Sequence, residues 1–222
     1  MTFDKRKVVY QIYPKSYKDT TGNGIGDLQG IIEKIPYLAK LGVDMVWLNP
    51  FYPSPQHDNG YDISDYTAVN PLFGSMDDFE EMIQVGKEYG IEFMLDMVLN
   101  HCSTEHEWFQ KALAGDNYYQ DFFFLRDEPT DWLSKFGGSA WAPFGDTGKY
   151  YLHLYDVTQA DLNWHNPHVR EELFKVVHFW LDKGVKGFRF DVINVIGKDE
   201  ILENCPENDG KPAYTDRPIV HE

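Results

Sequence analysis

GFRFDVIN, residues 187–194, sets an arginine and an aspartate two residues apart inside a short aromatic run. Read as a strand, it sends successive side chains to opposite faces, so Arg189 and Asp191 share one face and Phe188 and Phe190 the other. A charged pair on a buried strand is costly unless it serves a purpose. Arg189 can hold Asp191 ionised and oriented, as a carboxylate nucleophile requires. On spacing alone, a purely structural ion pair explains the two residues equally well.

Working outward, strand-like and helix-like segments alternate. VVYQIY (Val8 to Tyr13), VDMVWL (Val43 to Leu48) and IEFMLDMV (Ile91 to Val98) read as strands, and GFRFD is the fourth. Between them Leu28, Ile31, Ile32, Ile35, Leu38 and Leu41 recur at helical spacing. Ser75 with Asp78 forms a capping pattern ahead of Phe79, Met82 and Ile83. Val169, Leu173, Val176, Val177, Trp180 and Leu181 mark a further amphipathic helix. Such alternation predicts βαβ units and a parallel sheet. The fold class expected is α/β, four units of a (β/α)₈ barrel, which in full takes about 250 residues. The chain therefore reads as truncated after its fourth strand.

Asp96 and Asp191 end consecutive strands yet lie about 95 residues apart, where a βαβ unit needs about 30. An inserted subdomain between the third strand and its helix is expected over 102–165. It would carry a short helix near Thr104 to Ala114 capped by Thr104 and Glu107, followed by irregular chain. Residues 1–101 then form the first part of the barrel. Residues 166–222 supply the next helix, the fourth strand and a polar loop from Lys198 to Pro218.

The 222 residues carry 20 Lys and Arg against 36 Asp and Glu, a net charge of −16. That excess argues against nucleic acid and against an anionic membrane surface. No apolar run is long enough to span a membrane, and the first residues show no signal-peptide pattern. Two cysteines, Cys102 and Cys205, provide no disulfide framework. A reduced, cytoplasmic protein is expected, with no protein partner evident. Aromatics at 16 % suit a sugar-binding cleft, but a large α/β core accounts for them as well.

In a parallel barrel the active site lies at the C-terminal ends of the strands. The polar residues there are Tyr61 and Asp62 after the second strand, Asp96, Asn100 and His101 at the third, and Arg189 and Asp191 at the fourth. Carboxylates, an imidazole and a guanidinium suit a polyhydroxylated substrate and carboxylate-mediated acetal chemistry. Each has a plainer reading: Asp96 as acceptor of loop amides, Asp62 as a turn residue, His101 as a satisfied loop histidine. A metal site of Asp96, His101 and Asp191 lacks any supporting paired-histidine spacing.

The ordered set VVYQIYPKSY, DTTGNGIGDLQG, VDMVWLNPFYPSP, NGYDISDY, DMVLNH, QADLNWHNP and GFRFDVIN resembles the α-amylase family of glycoside hydrolases, and within it the α-glucosidase branch. The resemblance implies that Asp191 is the nucleophile forming a covalent glucosyl-enzyme and that Arg189 orients it. It implies that Asp62 and His101 bind hydroxyls of the non-reducing glucose, that Tyr61 packs against that sugar, and that Asp96 supports the site. DTTGNGIGD, FGGSAW (Phe136 to Trp141), QADLNW and AYTDRP (Ala213 to Pro218) point to the members that hydrolyse trehalose 6-phosphate to glucose and glucose 6-phosphate. Val192 favours trehalose-type or 1,6 linkages over 1,4. The alternatives are an α-glucosidase acting on 1,6-linked isomalto-oligosaccharides and a non-enzymatic amylase-like interaction domain; the latter kind carries a membrane anchor, for which the sequence shows no apolar run long enough.

Retaining hydrolysis needs a second carboxyl group about 5–5.5 Å from the nucleophile. In the family it comes from a later strand, and Glu222 is not assigned that role. Standalone activity is therefore expected to be near background. No cofactor is required. A structural calcium is possible at Asp19, Thr21, Asn23, Ile25 and Asp27, whose spacing is like an EF-hand loop with Gly24 at the sixth place. Gly30 stands where such a loop has its bidentate glutamate. Thr21 stands where calcium-binding relatives have Asn or Asp. The competing reading is a glycine-rich turn closed by side-chain hydrogen bonds.

Overall fold

A computed structural model describes residues 6–204. Four parallel strands lie in one sheet in the order β1 (Val9–Ile12), β2 (Met45–Leu48), β3 (Glu92–Val98) and β9 (Gly187–Asp191). Val9 pairs with Met45, and Leu48 with both Ile12 and Leu95, so β1 and β2 end level while β3 runs on to Val98. Parallel neighbours cannot be joined by a tight turn and need a crossover, usually a helix. Here α2 (Leu28–Leu41), α3 (Met76–Glu88) and α6 (Pro167–Asp182) fill the connections. A short α1 (Pro14–Tyr17) follows β1.

The chain divides into two compact units. One takes the chain up to Pro53, Tyr66–Met97 and Lys175–Phe190. The other takes Ser54–Asp65, Val98–Phe174 and the chain from Asp191 on.

In the first unit, α2 starts where Asp27 accepts the Gly30 amide at 2.7 Å and stops at Gly42, whose left-handed φ of 88° suits glycine. Ser75 and Asp78 form the capping box expected at α3. Phe51, Tyr52, Phe79 and Trp180 make an aromatic core with centroids 4.8–5.6 Å apart. The Trp180 indole is satisfied by the Tyr66 carbonyl at 2.8 Å. The outer strands of the sheet are β1 and β9, and β9 is half-buried, with Phe190 42 % exposed. The phenylalanine rings of that strand, Phe188 and Phe190, lie 6.0 Å apart.

In the second unit the stretch expected to be irregular forms two small antiparallel sheets. One joins β4 (His101–Ser103) to β8 (Gln159–Asp161). The other runs β5 (Leu125–Arg126), β7 (Tyr150–Leu152), β6 (Trp141–Pro143). Strands of two or three residues are too short to leave a readable alternation. Two helices lie here, α4 (Glu107–Leu113) and α5 (Asn117–Gln120). The expected Thr104–Glu107 cap does not form at α4. His106 caps the helix instead, its Nδ1 accepting the Trp108 amide at 3.1 Å, while the Thr104 amide donates to the Thr158 carbonyl. Lys198 was expected to open a polar loop. It is fully buried, because its ammonium is held by a carboxylate and two carbonyl oxygens. Leu202 is buried as well. Cys102 is a buried free thiol. Cys205, Glu222 and AYTDRP lie outside the described residues. Among the described residues no helix is long and apolar enough to cross a membrane.

Gly30 is held against the backbone of α1's C-terminal flank: a Cβ there would meet the Lys18 carbonyl oxygen at 2.1 Å. Overpacking of this kind costs about 1–3 kcal/mol, against the ~1 kcal/mol that alanine returns in helix propensity. Gly30→Ala is therefore predicted to lower the urea midpoint; an unchanged or raised midpoint contradicts this packing.

Candidate active site

In the first unit, β3 presents Asp96 and β9 presents Arg189 near their C-terminal ends. Arg189 Nη1 donates to both carboxylate oxygens of Asp96, at 3.0 and 3.2 Å. Asp96 is fully buried. The Trp47 indole donates to the same carboxylate at 3.1 Å, and the guanidinium lies 5.2 Å over the Trp47 ring. Tyr52 donates to the Asp96 carbonyl at 2.9 Å. Asp96 is thus the anionic anchor of a side-chain network. Beyond the expected relation to Asp191, Arg189 has a partner on the neighbouring strand, its Nη1 donating to Asp96.

In the second unit, the loop after β2 wraps around Asp62, which is fully buried. Its Oδ1 accepts from Ser54 Oγ at 2.8 Å and the Asp58 amide at 3.1 Å, and its Oδ2 from the His57 amide at 2.9 Å. Three of about four acceptor positions are taken, leaving room for one more donor. The loop bends through Gln56 and Asn59, both with positive φ. Tyr61 is held by its amide to the Asp58 carbonyl at 3.1 Å. Asp58 is fixed by Gln159 Nε2 at 2.8 Å. Burial holds the Asp58 carboxyl above its usual range, and the charges of Asp62, Asp156 and Asp191 push the same way.

Asp191 ends β9, and the next residue, Val192, is in the left-handed region at φ 43° and ψ 34°. A β-branched residue there is strained, at about 1–3 kcal/mol, and such strain clusters at functional positions. The Asp191 charge is felt by His101 and by Tyr155. Burial keeps the His101 imidazole below its usual range. Lys198 adds to that, while Asp161, Asp191 and the Tyr61 backbone oppose it. Burial, with the charges of Asp161 and Asp191, pushes the Tyr155 phenol up to about 12. Asn100 donates to Asp161 Oδ2 and lies against His101 Nδ1, each at 3.1 Å.

Tyr61, Asp62, His101 and Asp191 fall together in the second unit, and Asp96 and Arg189 together in the first. Sequence reasoning gave no role to Asp58, Tyr155, Gln159, Asp161 and Lys198. QADLNW carried Gln159 and Asp161 in plain view, as part of a motif rather than as a charged cluster.

The calcium reading meets a different geometry. Asp19 accepts from the Thr21, Gly22 and Gly24 amides and from Thr21 Oγ1, at 2.7–3.2 Å. These donors, the Gly24 amide above all, hold its carboxyl below the usual range. Asn23 accepts the Ile25 amide, and Asp27 spends both oxygens on Thr20 and Gly30. Calcium takes six to eight oxygens converging on one point. Among the described residues no three His, Cys, Asp or Glu side chains are placed to hold a metal. In this structure the loop's carboxylates and Asn23 accept from the loop's own amides and hydroxyls, and no step below uses the ion.

A parallel sheet with polar and charged side chains near its C-terminal rim is the architecture in which an active site lies at that rim. The alpha amylase catalytic-domain profile matches residues 11–222, so the chain belongs to the alpha-amylase family, whose catalytic domain is a TIM barrel. It is similar to trehalose-6-phosphate hydrolase of Bacillus subtilis (strain 168), with 54 % identity over 98 % of this chain and 40 % of that protein. Against the oligo-1,6-glucosidase of Parageobacillus thermoglucosidasius the identity is 49 %, over 98 % of this chain and 41 % of that one. The crystal structure of Bacillus licheniformis trehalose-6-phosphate hydrolase superposes with a TM-score of 0.90 at 54 % identity, covering 96 % of this chain and 40 % of that one. The chain thus spans about 40 % of the length of these relatives.

Two measurements test this geometry. Burial pushes the His106 imidazole down to about 4 against the charges of Asp65 and Glu107. The folded state therefore binds fewer protons than the unfolded chain, whose histidine titrates near 6.5. The stability this neutral cap contributes is complete above that value and is lost as pH falls toward 4. Between about pH 7 and pH 5 the loss from this group is about 2 kcal/mol. His106→Ser, which can still cap α4, should flatten that part of the profile in urea titrations; an unaltered slope refutes it. For the loop at Asp19, excess calcium should move the melting temperature by less than about 1 °C, and a saturable rise of several degrees refutes the hydrogen-bonded turn.

Proposed function

We propose that the chain carries the nucleophile half of a retaining α-glycosidase that hydrolyses trehalose 6-phosphate to glucose and glucose 6-phosphate in the cytoplasm. In this reading the Asp191 carboxylate attacks the anomeric carbon as the bond to the leaving sugar breaks. Water then cleaves the glucosyl ester, returning the carboxylate. His101 and the remaining acceptor position of Asp62 bind hydroxyls of the same glucose, and Tyr61 packs against it. Arg189 steadies Asp96, and through the shared strand the position from which Asp191 acts. The observation that carries the reading is the placement of Asp191 at the strand end, directly before a strained Val192, with its charge felt by His101 and Tyr155.

The charge around that position decides which sugar enters it. Asp58, Asp62, Asp156, Asp161 and Asp191 surround the second unit's site with negative charge, opposed among the buried groups by Lys198. Such a field favours a glucosyl oxocarbenium ion and repels a phosphate. The phosphate is therefore assigned to the leaving sugar. The similarity to trehalose-6-phosphate hydrolases at 54 % identity against 49 % for an oligo-1,6-glucosidase supports the substrate chosen.

A fluoride leaving group departs without a general acid, so 2-deoxy-2-fluoro-α-glucosyl fluoride isolates the nucleophile from the acid. Mass spectrometry of the peptides should find the fluoroglucosyl group on Asp191, and Asp191→Asn should slow labelling roughly 10³-fold or more. Labelling of another carboxylate overturns the assignment. Faster turnover of isomaltose than of trehalose 6-phosphate by the enzyme overturns the substrate but leaves the nucleophile standing.

A further inference from the structure

QADLNW opens on a glutamine that no step above uses, and Gln159 is fully buried. Its side chain is held at both ends. Oε1 accepts the Asp156 amide at 2.9 Å, and Nε2 donates to Asp58 Oδ2 at 2.8 Å. A backbone amide only donates and an ionised carboxylate only accepts, so the glutamine amide can be turned one way only. Its backbone is held as well: Gln159 pairs with Ser103 between β8 and β4, and its amide donates to the Asp156 carbonyl at 2.9 Å. Asp58 is where this clamp meets the loop after β2. The Asp58 amide donates to Asp62 Oδ1 at 3.1 Å, and its carbonyl accepts the Tyr61 amide at 3.1 Å. The Tyr61 backbone in turn meets the His101 ring in a hydrogen bond that favours the protonated imidazole. His101 begins β4, the partner strand of β8. The contacts therefore close a circuit from β8 through Gln159, Asp58, Tyr61 and His101 to β4. A second tie lies beyond Asp62, where the Ser103 amide donates to the Ile63 carbonyl at 2.8 Å. The backbone around Asp58 is strained, with Gln56 and Asn59 at φ 67° and 51°. Such conformations persist only where the surroundings over-determine them.

We propose that Gln159 is a positioning residue which, through Asp58, holds the loop that presents Tyr61 and Asp62 to the sugar. That these residues meet a sugar rests on the glycosidase reading above; the clamp itself does not. The charges of Asp62, Asp156 and Asp191 all face Asp58. Like charges so placed push the loop outward, and a neutral donor at residue 159 holds the Asp58 carboxylate without adding another.

The test is amide hydrogen exchange followed by NMR on the full chain. In Gln159→Glu a second carboxylate faces Asp58. Near neutral pH the His57, Asp58 and Tyr61 amides should then lose protection about tenfold or more. Ala140, whose amide is bound to the Trp132 carbonyl, should keep its own. Toward about pH 5 the two carboxyls can share a proton, and protection should return. When Gln159→Glu is combined with Asp58→Asn, the asparagine donates and the glutamate accepts, at the net charge of the original pair. Protection should be regained at both pH values. Protection that is unchanged in the single variant, lost equally at Ala140, or not regained in the double variant overturns the proposal. Should the single variant not fold, the double variant decides alone. Labelling of Asp191 by 2-deoxy-2-fluoro-α-glucosyl fluoride supplies the functional readout. The single variant should raise the half-saturating concentration about tenfold with a smaller change in maximal rate, and the double variant should reverse it. A loss confined to the maximal rate overturns the positioning role. If the parent chain is not labelled at all, the glycosidase reading falls while the exchange result stands.

Discussion

Four strands hydrogen-bonded side by side and all running the same way leave the chain no short route from one to the next. Every return must cross over a face of the sheet, and every strand must end on the same side. That constraint places Asn49, Asp96 and Asp191, three residues widely spaced in sequence, at or just beyond one set of strand ends. It also explains where extra length collects. The connection after β3 need only return a helix to the sheet, yet it carries two small sheets and two helices before α6 begins. Added chain at a strand's C-terminal end changes the surroundings of the rim residues without disturbing the pairing of Leu48 with Leu95.

In each unit one fully buried carboxylate is met by a cation. In the first it is Asp96, met by Arg189 and the Trp47 indole. In the second it is Asp161, met by Lys198, the Asn100 amide and the Leu154 backbone. Desolvating such a pair is expensive, and an apolar replacement of the same shape is often no worse for stability. The return is geometric: a carboxylate with its oxygens taken up by fixed donors has one orientation, and so do the groups that share it. Arg189 belongs to a strand that ends two residues later at Asp191, and Asn100 precedes His101 directly, so each buried pair fixes a backbone position next to a candidate site residue.

The parallel architecture was legible because its signals are local and repeated. Alternating apolar strands, the Ser75–Asp78 capping box and the helical spacing from Leu28 to Leu41 each name one element, and each formed. The site was legible in part. Asp191 ends β9, and Asp62 and His101 follow β2 and β3 in the connections beyond their C-terminal ends, where topology alone makes a polar residue informative. Three features had no such mark. Histidine is a rare helix cap, so Thr104 and Glu107 looked the better pair, and only the burial of His106 against Trp108, 4.3 Å between centroids, shows why it wins. Lys198 sat in a run of polar residues and gave no periodic signal. Its burial depends on Asn100, 98 residues earlier in the chain. The strands of the insertion are two or three residues long, below the length at which period two differs from chance.

The allegiance of Arg189 alters how the opening motif should be read. Two charges two residues apart on a strand suggested a partnership between them, with the guanidinium serving the nucleophile. Its Nη1 also bridges both oxygens of Asp96 at 3.0 and 3.2 Å, and the guanidinium lies over Trp47. Asp96 is fully buried while the Arg189 side chain is 37 % exposed, so the carboxylate gains more from the contact than the guanidinium does. An arginine clamped in this way ties β3 to β9, the strand that ends at Asp191. Charge spacing within one strand does not reveal every partner of a charge; the neighbouring strand adds one, and for Arg189 that residue is Asp96.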